Sequence, residues 1–262
     1  MNIPIVIAAF GTTSRAMQTY DHMDAVFKER FSGHAIHWAY TSRMVKDRLE
    51  QKHKITRRHP HQVLAALARQ GHPWAMVQSL HLTSAHEFYR LVAEVDQAGI
   101  RTSLGLPLLS SIEDYAAVVR ALAPLVAKDE DEALVLVGHG TDHPAWSAYP
   151  ALQHMLQQQY GAKVLVGAVE EGFPDREAIV RAVVKAGYAR VRLASLMLVA
   201  GVHFEEDLAG EEDSWKTVFE AAGIQVQLEK GGLGLNPQII EVFCRHMEAA
   251  LDIIPQNRRA VR

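Results

Sequence analysis

The chain carries one pattern twice, and this repetition constrains its fold more than any other feature. Residues Ile5-Val6-Ile7-Ala8-Ala9-Phe10-Gly11-Thr12 return 129 positions later as Leu134-Val135-Leu136-Val137-Gly138-His139-Gly140-Thr141. The register continues, with Tyr20 falling on Tyr149 and Phe31 on Tyr160. A second block repeats at a spacing of 116, setting Ser79-Leu80-His81-Leu82 against Ser195-Leu196-Met197-Leu198 and Phe88 against Phe204. A third sets Gln97-Ala98-Gly99-Ile100 against Ala221-Ala222-Gly223-Ile224. Three matched blocks in one order argue for two copies of a β-α unit.

Within each copy, apolar runs bounded by glycine alternate with segments of helical spacing. Strands are expected at 3–9, 35–40, 75–82, 101–106, 133–138, 163–169 and 191–198. Helices are expected at 15–30, 87–98, 112–127, 148–160 and 175–186, with one more opening at Pro60 and closing at Gly71 and another over 237–251. Four consecutive aliphatics, as in Leu134 to Val137, read as a strand buried on both faces, and this rhythm implies a parallel sheet with right-handed crossovers. The expected class is α/β: two similar, doubly wound domains at 1–128 and 133–262, with the polar run Lys128-Asp129-Glu130-Asp131-Glu132 linking them.

Composition excludes several functions. The chain has 262 residues, enough for two domains of about 130, and a net charge of −3 that offers no basic footprint for nucleic acid. Cys244 is the only cysteine, so neither a disulfide framework nor a cysteine-based metal centre is expected. The start moves directly into a strand without a leader pattern, and no apolar run approaches the roughly 20 residues of a membrane span. A soluble cytoplasmic protein is the expectation, and a homo-oligomer is compatible with it.

The informative differences lie between the copies. Where the second has His139, Glu171 and His203, the first has Phe10, Ser42 and Glu87. In open α/β sheets, ligands bind beyond the carboxyl ends of the strands, where His139, Glu171 and His203 all fall. Two imidazoles and a carboxylate suit a divalent transition metal, and an unperturbed imidazole titrating at about 6.5 is also a base near neutrality. A histidine between glycines can equally serve to cap a turn, and a glutamate such as Glu87 in a helix's first turn is favoured by the macrodipole alone. Thr12, Thr13 and Ser14 open the first helix, where they are caps or an anion site, and Arg43 at a strand's end is an exposed cation or a carboxylate contact. The basic run over 45–58 reads first as a solvated helix face and second as an attractor of an acidic ligand.

Ala8-Ala9-Phe10-Gly11-Thr12-Thr13, Val137-Gly138-His139-Gly140-Thr141, the segment Gly167 to Pro174, and Leu196 to His203 together resemble the anaerobic-type cobalt chelatase family (sirohydrochlorin cobaltochelatase, CbiK type). The order covers nearly the whole chain. This family belongs to the class II chelatases, which also include iron-inserting ferrochelatases. The resemblance implies two similar α/β domains around a cleft that binds a tetrapyrrole, and insertion of Co2+ into sirohydrochlorin on the oxygen-independent route to cobalamin. It implies His139 as metal ligand and proton acceptor, His203 as second ligand, and Glu87 as an acidic group of the first domain. The family's Val-Glu-Gly-Tyr-Pro-like segment reads Val169-Glu170-Glu171-Gly172-Phe173-Pro174 here. Adjacency to Gly172 favours Glu171 as the carboxylate ligand, with Glu170 the alternative. Thr12, Thr13, Ser14 and Arg43 are then candidate contacts for the carboxylates of the acidic tetrapyrrole.

The chemistry suits such groups. Metal insertion requires two pyrrole N–H protons to leave while the ion loses water, so a base and a ligand set that releases the ion must face the macrocycle. Three rivals remain at this level. These are Fe2+ insertion toward sirohaem, a non-catalytic tetrapyrrole or metal carrier, and a periplasmic-type solute receptor, against which the missing leader argues.

Overall fold

A computed structural model describes residues 2–11, 16–42, 58–126, 129–169, 173 and 175–255. Eight strands occur among them: β1 (Ile5–Ala9), β2 (Ile36–Tyr40), β3 (Trp74–Ser79), β4 (Arg101–Gly105), β5 (Glu132–Gly138), β6 (Val164–Ala168), β7 (Arg190–Ser195) and β8 (Gln225–Glu229). They form two parallel four-stranded sheets of order β2-β1-β3-β4 and β6-β5-β7-β8. The order is the same in both, as the duplication requires. The helices are α1 (Met17–Arg30), α2 (Pro60–Arg69), α3 (His86–Asp96), α4 (Ile112–Ala121), α5 (Ala148–Tyr160), α6 (Arg176–Ala186), α7 (Trp215–Ala221) and α8 (Pro237–Asp252).

Burial follows the sequence pattern. Every residue of β1, β5 and β6 is buried, as expected of strands covered on both faces. Around the first sheet, Val6, Ala8, Val77, Leu64, Leu67, Leu91 and Val95 make one apolar cluster. Around the second, Val135, Val137, Leu193, Ile179, Val183, Trp215 and Phe219 make another. Gly167 in β6 is required by packing, because a Cβ there would lie 2.4 Å from the Trp215 ring.

The chain forms two compact units. One comprises Met1–Gly11, Met23–Leu108 and Ile240–Arg262 and contains the first sheet; the other comprises Thr12–His22 and Leu109–Ile239 and contains the second. Helix α4 belongs to the second unit, where Tyr160 Oη donates to the Val119 carbonyl at 3.1 Å and Asn236 Nδ2 to that of Ala121 at 2.8 Å. Helix α8 joins the first unit from Ile240 onward, and there Glu248 accepts from Arg30 Nε at 2.9 Å.

Three elements differ from the sequence expectation. Helix α4 stops at Ala121 rather than near 127, and a 3-10 turn over Ala123–Leu125 follows. Pro124 explains the stop, since it offers no N–H and disfavours helical geometry in the residue before it. Helix α7 and strand β8 were not expected at all. The strand reads Gln-Val-Gln-Leu-Glu at a sheet edge and has no fully buried residue, so its apolar signal is weak. No helix of the described residues is long and apolar enough to cross a membrane.

Candidate metal site at the carboxyl end of the second sheet

Strand β5 delivers His139. The strand ends at Gly138, where an added Cβ would sit 2.3 Å from the Tyr149 ring of α5, so only glycine lets that ring lie against the strand end. The Tyr149 hydroxyl accepts from the Gly140 N–H at 3.2 Å, pinning the turn beyond the histidine. Burial pushes this phenol above its ordinary pKa, which keeps it protonated. Gly140 adopts φ 92°, a left-handed conformation that costs other residues, so the glycine after the histidine is a steric requirement of the bend. Beyond it, Thr141 Oγ1 accepts from the His143 N–H at 3.2 Å and His143 Nδ1 from the Ala145 N–H at 3.1 Å, which opens a 3-10 turn over Pro144–Ser147.

Strand β7 delivers His203 through the loop after Ser195. The Leu196 N–H donates to the Val137 carbonyl at 2.8 Å, continuing the β5 pairing past the strand end. Behind this loop, Leu233 and Gly234 donate to the carbonyls of Met197 and Leu198, each at 2.9 Å. The approach is close enough that a Cβ on Gly232 would meet the Leu198 carbonyl oxygen at 2.4 Å. His203 then precedes a single π-helical turn, Phe204–Leu208, closed by the Ala209 N–H donating to the Phe204 carbonyl at 3.0 Å. Such turns are rare and concentrate at functional positions.

The two imidazoles meet. Their ring centroids are 4.7 Å apart with planes at 84°, and both side chains are half-buried. With metal–nitrogen bonds of about 2.1 Å, two imidazoles sharing an ion at nearly a right angle would bring their centroids to roughly 4.5–5 Å. The observed spacing is therefore compatible with both rings facing one ion. Asp207 Oδ2 lies 2.7 Å from His203 Nδ1, and accepting that N–H fixes the tautomer whose lone pair is on Nε2. His139 Nδ1 lies 3.3 Å from the Gly140 carbonyl, a longer contact that favours the same tautomer.

Of the other residues singled out by sequence, only Glu87 is among the described residues. Glu87 lies in the first unit, in the first turn of α3, where its carboxylate pairs with Arg90. Glu171, Glu170, Thr12, Thr13, Ser14 and Arg43 lie outside the described residues, as does the basic run over 45–57. Among the described residues, no three His, Cys, Asp or Glu side chains are arranged to hold an ion. Sequence reasoning missed Asp207, although its i,i+4 spacing from His203 was readable.

Comparison with known proteins adds independent findings. Residues 4–252 match the family model "Cobalt chelatase (CbiK)". A sirohydrochlorin cobaltochelatase of Salmonella typhimurium is 38% identical over 221 residues, covering 82% of this chain and 83% of that protein. The sirohydrochlorin cobaltochelatase CbiKC of Nitratidesulfovibrio vulgaris is 32% identical over 263 residues, covering 95% and 91%. Among solved structures, the sirohydrochlorin chelatase SirB of Bacillus subtilis in complex with cobalt has a TM-score of 0.66 at 17% identity, covering 96% of each chain, which shows a shared fold.

Proposed function

The chain belongs to the CbiK cobalt chelatase family and is a metal chelatase that inserts Co2+ into sirohydrochlorin; we propose that His139 and His203 present the ion to the macrocycle. The observation that carries this reading is the convergence of the two imidazoles beyond β5 and β7, 4.7 Å apart between centroids. Insertion balances as Co2+ entering while two pyrrole N–H protons leave. The ion must be held firmly enough to shed water and loosely enough to transfer. Neutral imidazoles meet both demands, and a carboxylate from Glu171 would supply the charge that two histidines lack.

His139 is proposed as both ligand and proton acceptor, because the nitrogen that releases the metal regains a lone pair at the moment a pyrrole proton needs one. His203 is proposed as the more fixed ligand, since Asp207 holds its Nδ1–H at 2.7 Å. Glu87 is proposed as a second proton-handling carboxylate on its chemistry alone. Thr12, Thr13, Ser14 and Arg43 are proposed as contacts for substrate carboxylates, by hydroxyl or backbone N–H donation and by an ion pair respectively.

Cobalt is the proposed physiological metal, with Fe2+ as the competing ion, because imidazole and carboxylate do not discriminate strongly between them. A cytoplasmic location follows if the tetrapyrrole is supplied there. Anaerobic mixing of the purified protein with sirohydrochlorin and each metal in turn, followed by absorbance, tests the assignment. Faster formation of the cobalt product than of the iron product is expected. A protein that binds the ring but accelerates neither insertion would be a carrier.

A further inference from the structure

We propose that Trp146 and Phe173 form an aromatic seat for the face of the tetrapyrrole beside the imidazole pair; this rests on the chelatase reading above. Trp146 is 39% and Phe173 61% exposed, although rings of this size are strongly drawn to apolar surroundings. They touch each other, with centroids 5.8 Å apart and planes at 74°. A T-shaped contact engages one ring edge and one ring face, so much of both rings still meets water.

Their position says what would cover them. Trp146 lies in the 3-10 turn after β5, seven residues beyond His139 on the same loop, and Phe173 follows β6. Strands β5 and β6 are neighbours, paired to Gly138 and Ala168, and the Val169 N–H extends the pairing to the Gly138 carbonyl at 2.9 Å. The aromatic pair therefore stands at the same carboxyl end of the sheet as His139. A ring that takes an ion from His139 must come to that end. The substrate's carboxylates lie on its rim, so its faces are the part that an aromatic pair can desolvate and stack upon.

The duplication supports a role tied to the site. At the 129-residue spacing, Met17 stands opposite Trp146 and Met44 opposite Phe173. The aromatic pair, like the imidazole pair, belongs to one copy alone. A residue pair needed only to close the end of the sheet would be wanted in both copies.

Initial rates for the intact protein and for Trp146→Ala, Trp146→Phe and Phe173→Ala, varying sirohydrochlorin and Co2+ separately, test the proposal. The KM for sirohydrochlorin should rise about tenfold in both alanine variants and stay near the parent value in Trp146→Phe, while the KM for Co2+ is unchanged. Titrating sirohydrochlorin without metal should quench tryptophan emission in the parent, and the component due to Trp146 should be missing from Trp146→Phe. An unchanged sirohydrochlorin KM, or equal changes in both KM values, would overturn the seat. A change of oligomeric state with KM unmoved would also overturn it and assign the rings to a second copy of the chain. Should the parent protein form no cobalt product, the chelatase reading fails, and the quenching titration still decides whether these rings bind the macrocycle.

Discussion

At the end of β1 the chain turns through Phe10-Gly11, and at the end of β5 through His139-Gly140, with φ of 100° and 92° at the two glycines. The likeness goes further. The Leu80 N–H donates to the Ala8 carbonyl at 2.8 Å, as Leu196 does to Val137, and Leu108 donates to His81 as Leu233 does to Met197. Phe88 and Phe204 are buried at 7% and 8% exposure at matched positions. Yet the residue before that phenylalanine is Glu87 in a regular α-helix in one copy, and His203 before a π-turn in the other. Duplication preserved the strand ends, while metal-capable chemistry collected on one of them.

The largest effect should come from removing what the second copy has and the first lacks. His139→Ala is expected to lower the insertion rate by about 10³-fold, since it deletes the proposed ligand and the proposed base together. The circular dichroism spectrum should be unchanged, because the side chain is only half-buried. Insertion surviving at a tenth of the parent rate would remove His139 from the chemistry. Next comes Asp207→Ala, which frees the His203 ring to rotate and change tautomer. A loss of about 10- to 100-fold in cobalt affinity is expected. Asp207→Asn, which still offers an acceptor oxygen, should recover part of it. Cobalt titration followed by visible absorbance measures both, and equal affinity in Asp207→Ala would show that the hydrogen bond does not position the ligand.

The alternation of strands and helices, the parallel class and the placing of His139 and His203 at strand ends could all be read from periodicity and glycine spacing. Ring convergence could not, because it depends on β5 lying between β6 and β7, a neighbour order that spacing does not give. Asp207 escaped for a local reason: its link to His203 runs through a π-turn that no propensity announces. Trp146 and Phe173 escaped because exposure is a tertiary property. Strand β8 escaped because an edge strand of glutamines and glutamate lacks the apolar run that marked the others.

Gly138→Ala sharpens the comparison from the packing side. The first copy has Ala9 at the matched position, buried and tolerated, whereas in the second a methyl group would sit 2.3 Å from the Tyr149 ring. The ring or the strand end must move, at a cost of about 1–3 kcal/mol. Urea unfolding should show this loss, together with weaker cobalt binding as the Gly140–Tyr149 hydrogen bond is disturbed. Unchanged stability would mean that the Tyr149 ring shifts freely.

A difference in the opposite direction appears one strand over. Ser79 Oγ and His81 Nδ1 are 2.8 Å apart in the first copy, but the second has Ser195 and Met197 in these places, and the buried Ser195 hydroxyl makes no hydrogen bond among the described residues. Burial lowers the pKa of His81 to about 4. Between about pH 6.5 and that value the unfolded chain binds a proton that the folded chain refuses. Stability from this residue is thus complete above about pH 6.5 and declines as pH falls toward 4, by an amount on the order of 2 kcal/mol between pH 7 and pH 5. His81→Met should flatten this acid limb, and the Ser195–Met197 arrangement shows that the scaffold accepts the pair. Identical acid limbs in denaturant titrations would mean that His81 is not the group responsible.

The smallest effect is expected from the reciprocal exchange. Phe10→His places an imidazole on a turn with the same glycine conformation as His139, at a side chain already 40% exposed, so the fold should accept it. If a histidine on this kind of strand end were enough to hold cobalt, calorimetric titration with Co2+ would reveal additional binding. None is expected, because the matched position beyond the other strand is Glu87, already paired with Arg90 in the first turn of a regular helix. One imidazole in water binds a divalent ion weakly, and the advantage proposed for the second copy is that it holds two at a fixed angle with one of them oriented by a carboxylate. An increase in cobalt stoichiometry in Phe10→His would break the comparison, since the chemistry would then belong to the strand-end geometry that both copies share.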